Sequence, residues 1–461
     1  MLNILNQVLF LFYYYLSLTR IMPLPRQKPW LPEKAPSDLL FANANVIDVA
    51  GNATLSGRTV HISNGRITAV SAAEDGKTPA ASGQTFVDLK GKYLMPGLID
   101  CHVHLTAAAG GTTMRDLFDA HPNTIAYRTV WNAKQMLLRG FTTARDTSGA
   151  DFALREAIAE GLVPGPRLFI AGTALSQTGG HGDLRLPHQG ESFKCCGGNG
   201  PGIGRICDGV PECLAAARDE LRKGADFLKI MCGGGVASPV DPLEMIQFTP
   251  EEIQAITSQA RNLGKYVTAH AYTVEAIRHA IDNGVMGIEH ANFIDEPTAK
   301  LCAEKGVFVT PTLVVYNALI NPPYENFLPE SGRTKCRQVI ESGVKALTIL
   351  HENGVTICYG TDLLAGMHVL QNQEFSIRAK ALPAVEVLRS ATTNAAKLLG
   401  MEGKLGTISK DAIADLLIVD QNPLRDVTVL DDIEKTCLGI VKEGRVVMSK
   451  LAGLEVDEVY R

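Results

Sequence analysis

The sequence predicts an α/β protein made of a (β/α)8 (TIM) barrel and a small β-sandwich domain assembled from both ends of the chain. Eight strand-length apolar runs alternate with helix-like stretches through the middle of the chain, and segments of a different, hairpin-rich texture flank that middle. The length agrees, because 461 residues exceed one average domain and suit a barrel of about 250 residues with a smaller unit beside it.

Residues 1–37 read as a leader. Its apolar run Val8–Leu18 has the length of a signal h-region and is too short to span a bilayer. No Lys or Arg precedes it, Arg20 follows it, and no small-residue cleavage site is evident. A cytoplasmic location is expected, with secretion as the alternative. Residues 38–92 alternate apolar runs, FANANVIDV and TVHISNGRITAV, with Asn-Gly and Asp-Gly turns, which is the pattern of short antiparallel strands. Residues 405–455 share that texture in ADLLIVD and CLGIVKEGRVVM, so the two segments are assigned to one composite β-domain.

Residues 93–404 form the barrel. Its strands are expected in YLMPGLIDCHVH, FTTARDTSG, RLFIAGTALS, DFLKIMCGGG, YVTAHAYT, MGIEHANF, VFVTPTLVV and VTICYGTD. Continuous apolar strands separated by helices such as Pro250–Leu263 indicate a parallel sheet buried on both faces, and eight of them indicate closure. The Gly-rich stretch Ser176–Gly209 after the third strand is too long for an ordinary connection and is expected to overhang the barrel mouth.

Composition narrows the function. A hydrophobic fraction of 46%, 20% charged residues and a net charge of -5 describe an ordinary globular chain with no basic surface for nucleic acid. No other stretch is suited to a membrane. The ten cysteines, with Cys195 and Cys196 adjacent, follow no metal-site or disulfide spacing and read as reduced core thiols.

The chemistry-bearing residues fall at the ends of the expected strands, where barrels place their active sites. His102 and His104 are two apart in a strand, so both imidazoles face the same side; they can grip one cation or simply hydrogen-bond there. Lys229 sits among apolar neighbours, where a bare ammonium costs several kcal/mol, so it either snorkels to a carboxylate or reacts, as a neutral amine, with carbon dioxide to give a carbamate. His270 and His290 end consecutive strands twenty residues apart, with Ala269, Ala271 and Ala291 leaving room beside them. Asp362 ends the last strand, opposite the first once a barrel closes; alone it would read as a helix N-cap. Six such groups together are poorly explained by caps and packing. Arg145 reads as half of a structural ion pair with Asp146 or a neighbour.

LMPGLIDCHVH, the lysine of FLKI, His270 in AHAY, His290 in IEH, Asp362 in GTD and the terminal GTISKDAIADLLIVDQNPL resemble the amidohydrolase superfamily, in its binuclear type with a carboxylated lysine, over residues 38–448. ALSQTGGHGD, KIMCGGGV and SATTNAAKLLG are similar to its prolidase-type carboxypeptidases and fungal ochratoxinases. One departure is Ala291-Asn292, where relatives often carry glycine.

The resemblance implies that His102, His104 and Asp362 hold one divalent cation, His270 and His290 a second, and the Lys229 carbamate both, with zinc the first candidate and manganese or cobalt not separated by these ligands. It further implies that an activated hydroxide attacks an amide carbonyl while Asp362 shuttles the proton to the leaving nitrogen. Two dications outweigh the charge of hydroxide, carbamate and aspartate, which favours substrates bearing a carboxylate: Xaa-Pro dipeptides, N-acyl amino acids, and ochratoxin A, an amide of phenylalanine. His181, Arg185 and Tyr272 are the candidate substrate-binding residues; each also has a plain structural reading, as a backbone contact, a surface charge and a packed ring. A homo-oligomer is expected by resemblance. The alternatives are a mononuclear deaminase or cyclic-amide hydrolase with Lys229 unmodified, and a non-catalytic assembly scaffold.

Overall fold

The alternating runs near both termini pair with one another. In the computed structural model, which describes residues 28–31, 38–72, 83–188, 203–238 and 240–461, Pro36–Arg461 forms one unit and Met1–Ala35 another. Val8–Leu18 and Cys195–Cys196 lie outside the described residues. The strands Arg445–Ser449, Cys437–Lys442, Leu416–Val419, Tyr93–Pro96, Leu39–Asp48, Ala53–Ser63 and Arg66–Ala72 follow one another across a single sheet, with Thr85–Asp88 paired to Leu39–Asp48. That sheet folds over on itself. Val60, Ile62 and Ile67 from one edge share a buried cluster with Val441 and Val446 from the other, and a Cβ on Gly65 would come 2.9 Å from the Glu443 carbonyl at the opposite hairpin tip.

The first long apolar run serves both sheets. Tyr93–Pro96 belongs to the terminal sheet and Leu98–Val103 to the barrel, and the chain changes over at Gly97, where a Cβ would lie 2.2 Å from Thr142 Oγ1. From there the parallel strands Leu98–Val103, Phe141–Asp146, Arg167–Ile170, Leu228–Met231, Val267–Ala271, Gly287–His290, Phe308–Thr310 and Thr356–Ile357 follow in chain order. Their inward and outward faces are both covered, which is why they read as unbroken apolar runs.

Backbone bonds close both seams between the two parallel sheets. RLFIAGTALS bends at Gly172 (φ 74): its first half pairs with Phe141–Asp146 and its second, Ala174–Ser176, with Leu228–Met231. At the other seam the Cys101 N–H donates to the Tyr359 carbonyl at 2.7 Å and the Asp362 N–H to the His102 carbonyl at 2.9 Å.

Helices between the strands start where their sequences cap them. Thr249 and Glu252 form a capping box ahead of Pro250–Asn262, Thr273 caps Val274–Asp282, and Asp295 caps Glu296–Lys305. Their apolar faces, for example Ile253, Ile256 and Ala260, join the core around the barrel strands, where each fully buried aliphatic side chain contributes roughly 1.5–3 kcal/mol. A separate apolar cluster, including Tyr272, Val315, Tyr316, Leu328 and Leu363, roofs the strand ends. Among the described residues the cysteines are free and buried, and no helix is long and apolar enough to cross a membrane.

Candidate metal centre

The first strand delivers His102 and His104 to the barrel mouth as the alternation rule requires. His102 Nδ1 lies 2.8 Å from Glu289 Oε2, and His104 Nδ1 lies 2.8 Å from the Ser148 carbonyl oxygen. Carbonyls and carboxylates only accept, so both Nδ1 atoms carry a proton and the Nε2 atoms are left for a partner inside the site. Those two atoms converge on Asp362, whose Oδ1 is 3.4 Å from His102 Nε2 and 3.2 Å from His104 Nε2. Asp362 is therefore engaged with imidazoles and does not cap a helix.

His270 and His290 approach from the fifth and sixth strands. His270 Nε2 donates to the Gly234 carbonyl at 3.1 Å, which leaves Nδ1 as its lone pair. His290 Nδ1 meets Thr312 Oγ1 at 2.7 Å and the Tyr316 hydroxyl at 3.2 Å. The ring centroids of His290 stand 4.9 Å from His102 and 4.7 Å from His270, so the two histidine pairs form one cluster. Burial pushes both His270 and His290 well below the usual imidazole range, keeping them neutral.

Lys229, 2% exposed, lies in register beside Thr268, one strand from His270. Burial lowers its ammonium to about 8, against the pull of Glu289 and Asp362, so a sizeable fraction is neutral amine near physiological pH. Burial raises the Asp362 carboxyl, but the surrounding His102, His104 and His290 outweigh it and hold the group well below the carboxylate range.

This donor set fits a divalent cation. Ligand atoms of His102, His290 and Asp362 lie within 4.8 Å of one another, and the 3.2 and 3.4 Å spacings match the edge of a tetrahedron, about 3.4 Å, around zinc with bonds of about 2.0–2.1 Å. Inward-facing imidazole nitrogens, those of His270 and His290 held neutral, with one carboxylate and a lysine of lowered basicity, are the chemistry that such an ion requires.

The candidate substrate residues have distinct surroundings. His181 stacks on His270 at 4.1 Å between centroids, its Nδ1 2.7 Å from Ser238 Oγ and 3.5 Å from Asp241 Oδ2. Tyr272 is buried against His290, with the Tyr316 hydroxyl donating to its own at 3.0 Å. Arg185 directs Nε and Nη2 at the Asp183 carboxylate, 2.7 and 2.5 Å away.

Sequence reasoning missed Glu289. It receives the His102 Nδ1 proton, bonds Arg145 Nη2 at 2.6 Å and accepts from Thr268 Oγ1. Alternation would turn Glu289 away if His290 faces inward. Both face inward because His290 (φ 73) and Ala291 (φ 55) adopt left-handed backbone that ends the strand. Arg145 thus pairs with Glu289, while Asp146 is taken by the backbone N–H groups of Leu105 and Ala150. Tyr316 and Thr312, which orient His290, were also unforeseen; only the polar groups in VFVTPTLVVY hinted at them.

The Amidohydrolase family profile matches residues 93–447, which span the whole barrel and the terminal-sheet strands on either side of it. The chain belongs to the amidohydrolase family. As an amidohydrolase it is a hydrolase of carbon–nitrogen bonds, and solved structures share its architecture. A prolidase crystallised with N-methylphosphonate-L-proline is 41% identical, with a TM-score of 0.85 over 90% of this chain and 100% of that one. A Xaa-Pro dipeptidase with bound methionine is 29% identical, with a TM-score of 0.79 over 89% and 99%. Among curated proteins the ochratoxinase of Aspergillus niger is 32% identical over 354 residues, 74% of this chain and 72% of that protein.

Proposed function

We propose that this amidohydrolase cleaves the amide bond of small acyl amino acids or Xaa-Pro dipeptides, releasing an amino acid that carries a free carboxylate. The observation that carries this reading is the convergence of four imidazoles, Asp362 and Lys229 at one barrel mouth, in a chain 41% identical to a prolidase that binds a phosphonate-proline. Tetrahedral phosphorus on the proline nitrogen resembles an amide carbonyl after a nucleophile has added, so that ligand is a guide to the bond broken here. Ochratoxin A, cleaved to phenylalanine, belongs to the same class, and the similarity to ochratoxinase supports including it.

In this reading His102, His104 and Asp362 would hold one cation and His270 and His290 the second, and Lys229, as its carbamate, would complete the donor set. Zinc suits the donors. When bound, such a pair acidifies the attacking water and polarises the carbonyl. Asp362, beside two imidazoles, takes the water's proton and returns it to the leaving nitrogen. Glu289 and the Ser148 carbonyl keep the two histidines of the first strand in the tautomer that presents Nε2. His181 and Arg185 on the long loop, with Tyr272 beside His290, are the donors this reading assigns to the substrate's carboxylate.

A second reading draws on the tight grouping of His102, His290 and Asp362, which alone suffices for a single cation. Counting metal separates the two. Two equivalents per chain, with hydrolysis of N-acyl amino acids and Xaa-Pro dipeptides but not of their carboxyl-amidated forms, is the expected result; one equivalent, or equal rates on amidated substrates, overturns the two-cation, carboxylate-directed reading.

A further inference from the structure

One connection beside the metal centre is held from outside. The chain after the fourth strand, GGGVAS (Gly233–Ser238), lies against the cluster with no slack: a Cβ on Gly234 would come 1.7 Å from the Pro242 carbonyl oxygen, and one on Gly235 would come 2.0 Å from His181 Cε1. Two side chains of the cluster take their orientation from this segment. The Gly234 carbonyl accepts the His270 Nε2 proton, and Ser238 with Asp241 meets His181 Nδ1. The backbone N–H of Gly235 in turn donates to Asp241 Oδ2 at 2.9 Å.

Such a segment has few ladder bonds of its own, and its carbonyls need partners. Lys335, in the helix Glu330–Glu352, supplies them. Its Nζ donates to the carbonyls of Gly235 at 2.7 Å, Ser238 at 3.0 Å and Asp241 at 2.8 Å, using all three ammonium hydrogens, and stands 3.9 Å from Asp241 Oδ1. Asp241 Oδ1 is buried without a hydrogen bond, so the ammonium also balances the charge of that carboxylate. The same helix touches the site elsewhere: the Val339 carbonyl accepts from Asn292, two residues beyond His290, and Cys336 Sγ donates to the Tyr316 carbonyl at 3.5 Å.

We infer that Lys335 is a positioning residue for the second cation: by gathering three carbonyls of the Gly233–Asp241 segment it fixes the Gly234 carbonyl on His270 Nε2, and so aims the His270 Nδ1 lone pair at the metal. This inference rests on the two-cation reading above. Lys335 itself touches neither metal nor substrate. A neutral side chain leaves three carbonyls and a buried carboxylate uncompensated, the segment relaxes, and His270 loses the bond that sets its tautomer. His102, His104 and Asp362 are held by Glu289, Ser148 and the first strand instead, so the first cation is insulated from the change.

The test is stepwise loading of metal-stripped protein with zinc against a chromophoric chelator. Lys335→Met is expected to weaken the second equivalent by about tenfold, the lower end of what loss of an outer partner costs, with the first unchanged. Ethylammonium added to Lys335→Ala should restore the second affinity, because it can occupy the site of the missing ammonium. If Lys335→Met does not fold, Lys335→Ala prepared with ethylammonium and then dialysed gives the same comparison. Wild-type affinities in the variants, an equal loss at both cations, or indifference to ethylammonium overturns the role of Lys335. Wild-type protein that binds a single equivalent overturns the two-cation reading and this inference with it.

Discussion

Asp362 occupies a position no neutral side chain can fill equally well. Its Oδ1 faces the Nε2 atoms of His104 and His102 at 3.2 and 3.4 Å, an arrangement that calls for a proton or a cation between carboxylate and ring. Asp362→Asn keeps the shape and removes the proton acceptor, so kcat is expected to fall about 10²–10⁴-fold while the melting temperature of metal-free protein does not drop; steady-state kinetics on an N-acyl amino acid beside a thermal melt checks both. Lys229 makes a second prediction with a definite sign. Its ammonium is lowered to about 8, and only the neutral amine adds carbon dioxide, so the reactive fraction rises as pH approaches that value. After acid stripping, reactivation by bicarbonate and zinc at constant dissolved carbon dioxide should be roughly fifty-fold faster at pH 8 than at pH 6, the ratio of neutral amine at the two pH values. A flat profile would argue against a carbamate.

Strands and their ends account for what the sequence disclosed and what it withheld. His102, His104, His270, His290, Lys229 and Asp362 were legible because parallel strands buried on both faces are mostly apolar, so polar side chains at or near their ends stand out. Glu289 was hidden by the same alternation rule, which fails where His290 and Ala291 turn left-handed. The breaks at Gly97 and Gly172 were hidden too, since an apolar run looks the same whether it lies in one sheet or passes between two; the nearness of Thr142 at Gly97 and the left-handed φ of 74 at Gly172 are what call for glycine. Lys335 carried no signal at all, being one cation on an amphipathic helix. Gly360 tests how tightly the strand ends are packed. A Cβ there would meet Thr310 Cγ2 at 2.6 Å and His102 Cβ at 2.9 Å, neither of which sits on a flexible chain end. Gly360→Ala is expected to cost about 1–3 kcal/mol by overpacking and to weaken metal binding through the displaced His102; urea melts together with zinc titration measure both, and a neutral result in both would show that the seam between first and last strands is loose.

Across the molecule the terminal sheet and the barrel mouth have different sources of stability. The sheet closes on its own apolar cluster, with Phe41, Val60, Leu94, Ile418 and Val441 buried, and needs no ion. The barrel mouth instead gathers buried Lys229, Glu289, Arg145 and four imidazoles with the partly exposed Asp362 into one polar layer, whose charges are balanced only in part by protein hydrogen bonds. Cations that bind the folded chain and not the unfolded one stabilise it by mass action. At free zinc a hundredfold above each dissociation constant, two sites contribute about 5 kcal/mol, which over a chain of this length raises the melting temperature by about 6 °C. Chelation should therefore lower the melting temperature by that amount, and hydrogen exchange should place the loss. Amides of 98–103, 267–271 and 287–290, which carry or flank the proposed ligands, should exchange faster after metal removal. Those of 39–48 and 416–419, paired within the terminal sheet, should keep their protection until the whole unit unfolds. An equal rise in both regions would mean that metal and sheet are energetically one structure, and that the cations stabilise the fold as a whole rather than the end of the barrel that binds them.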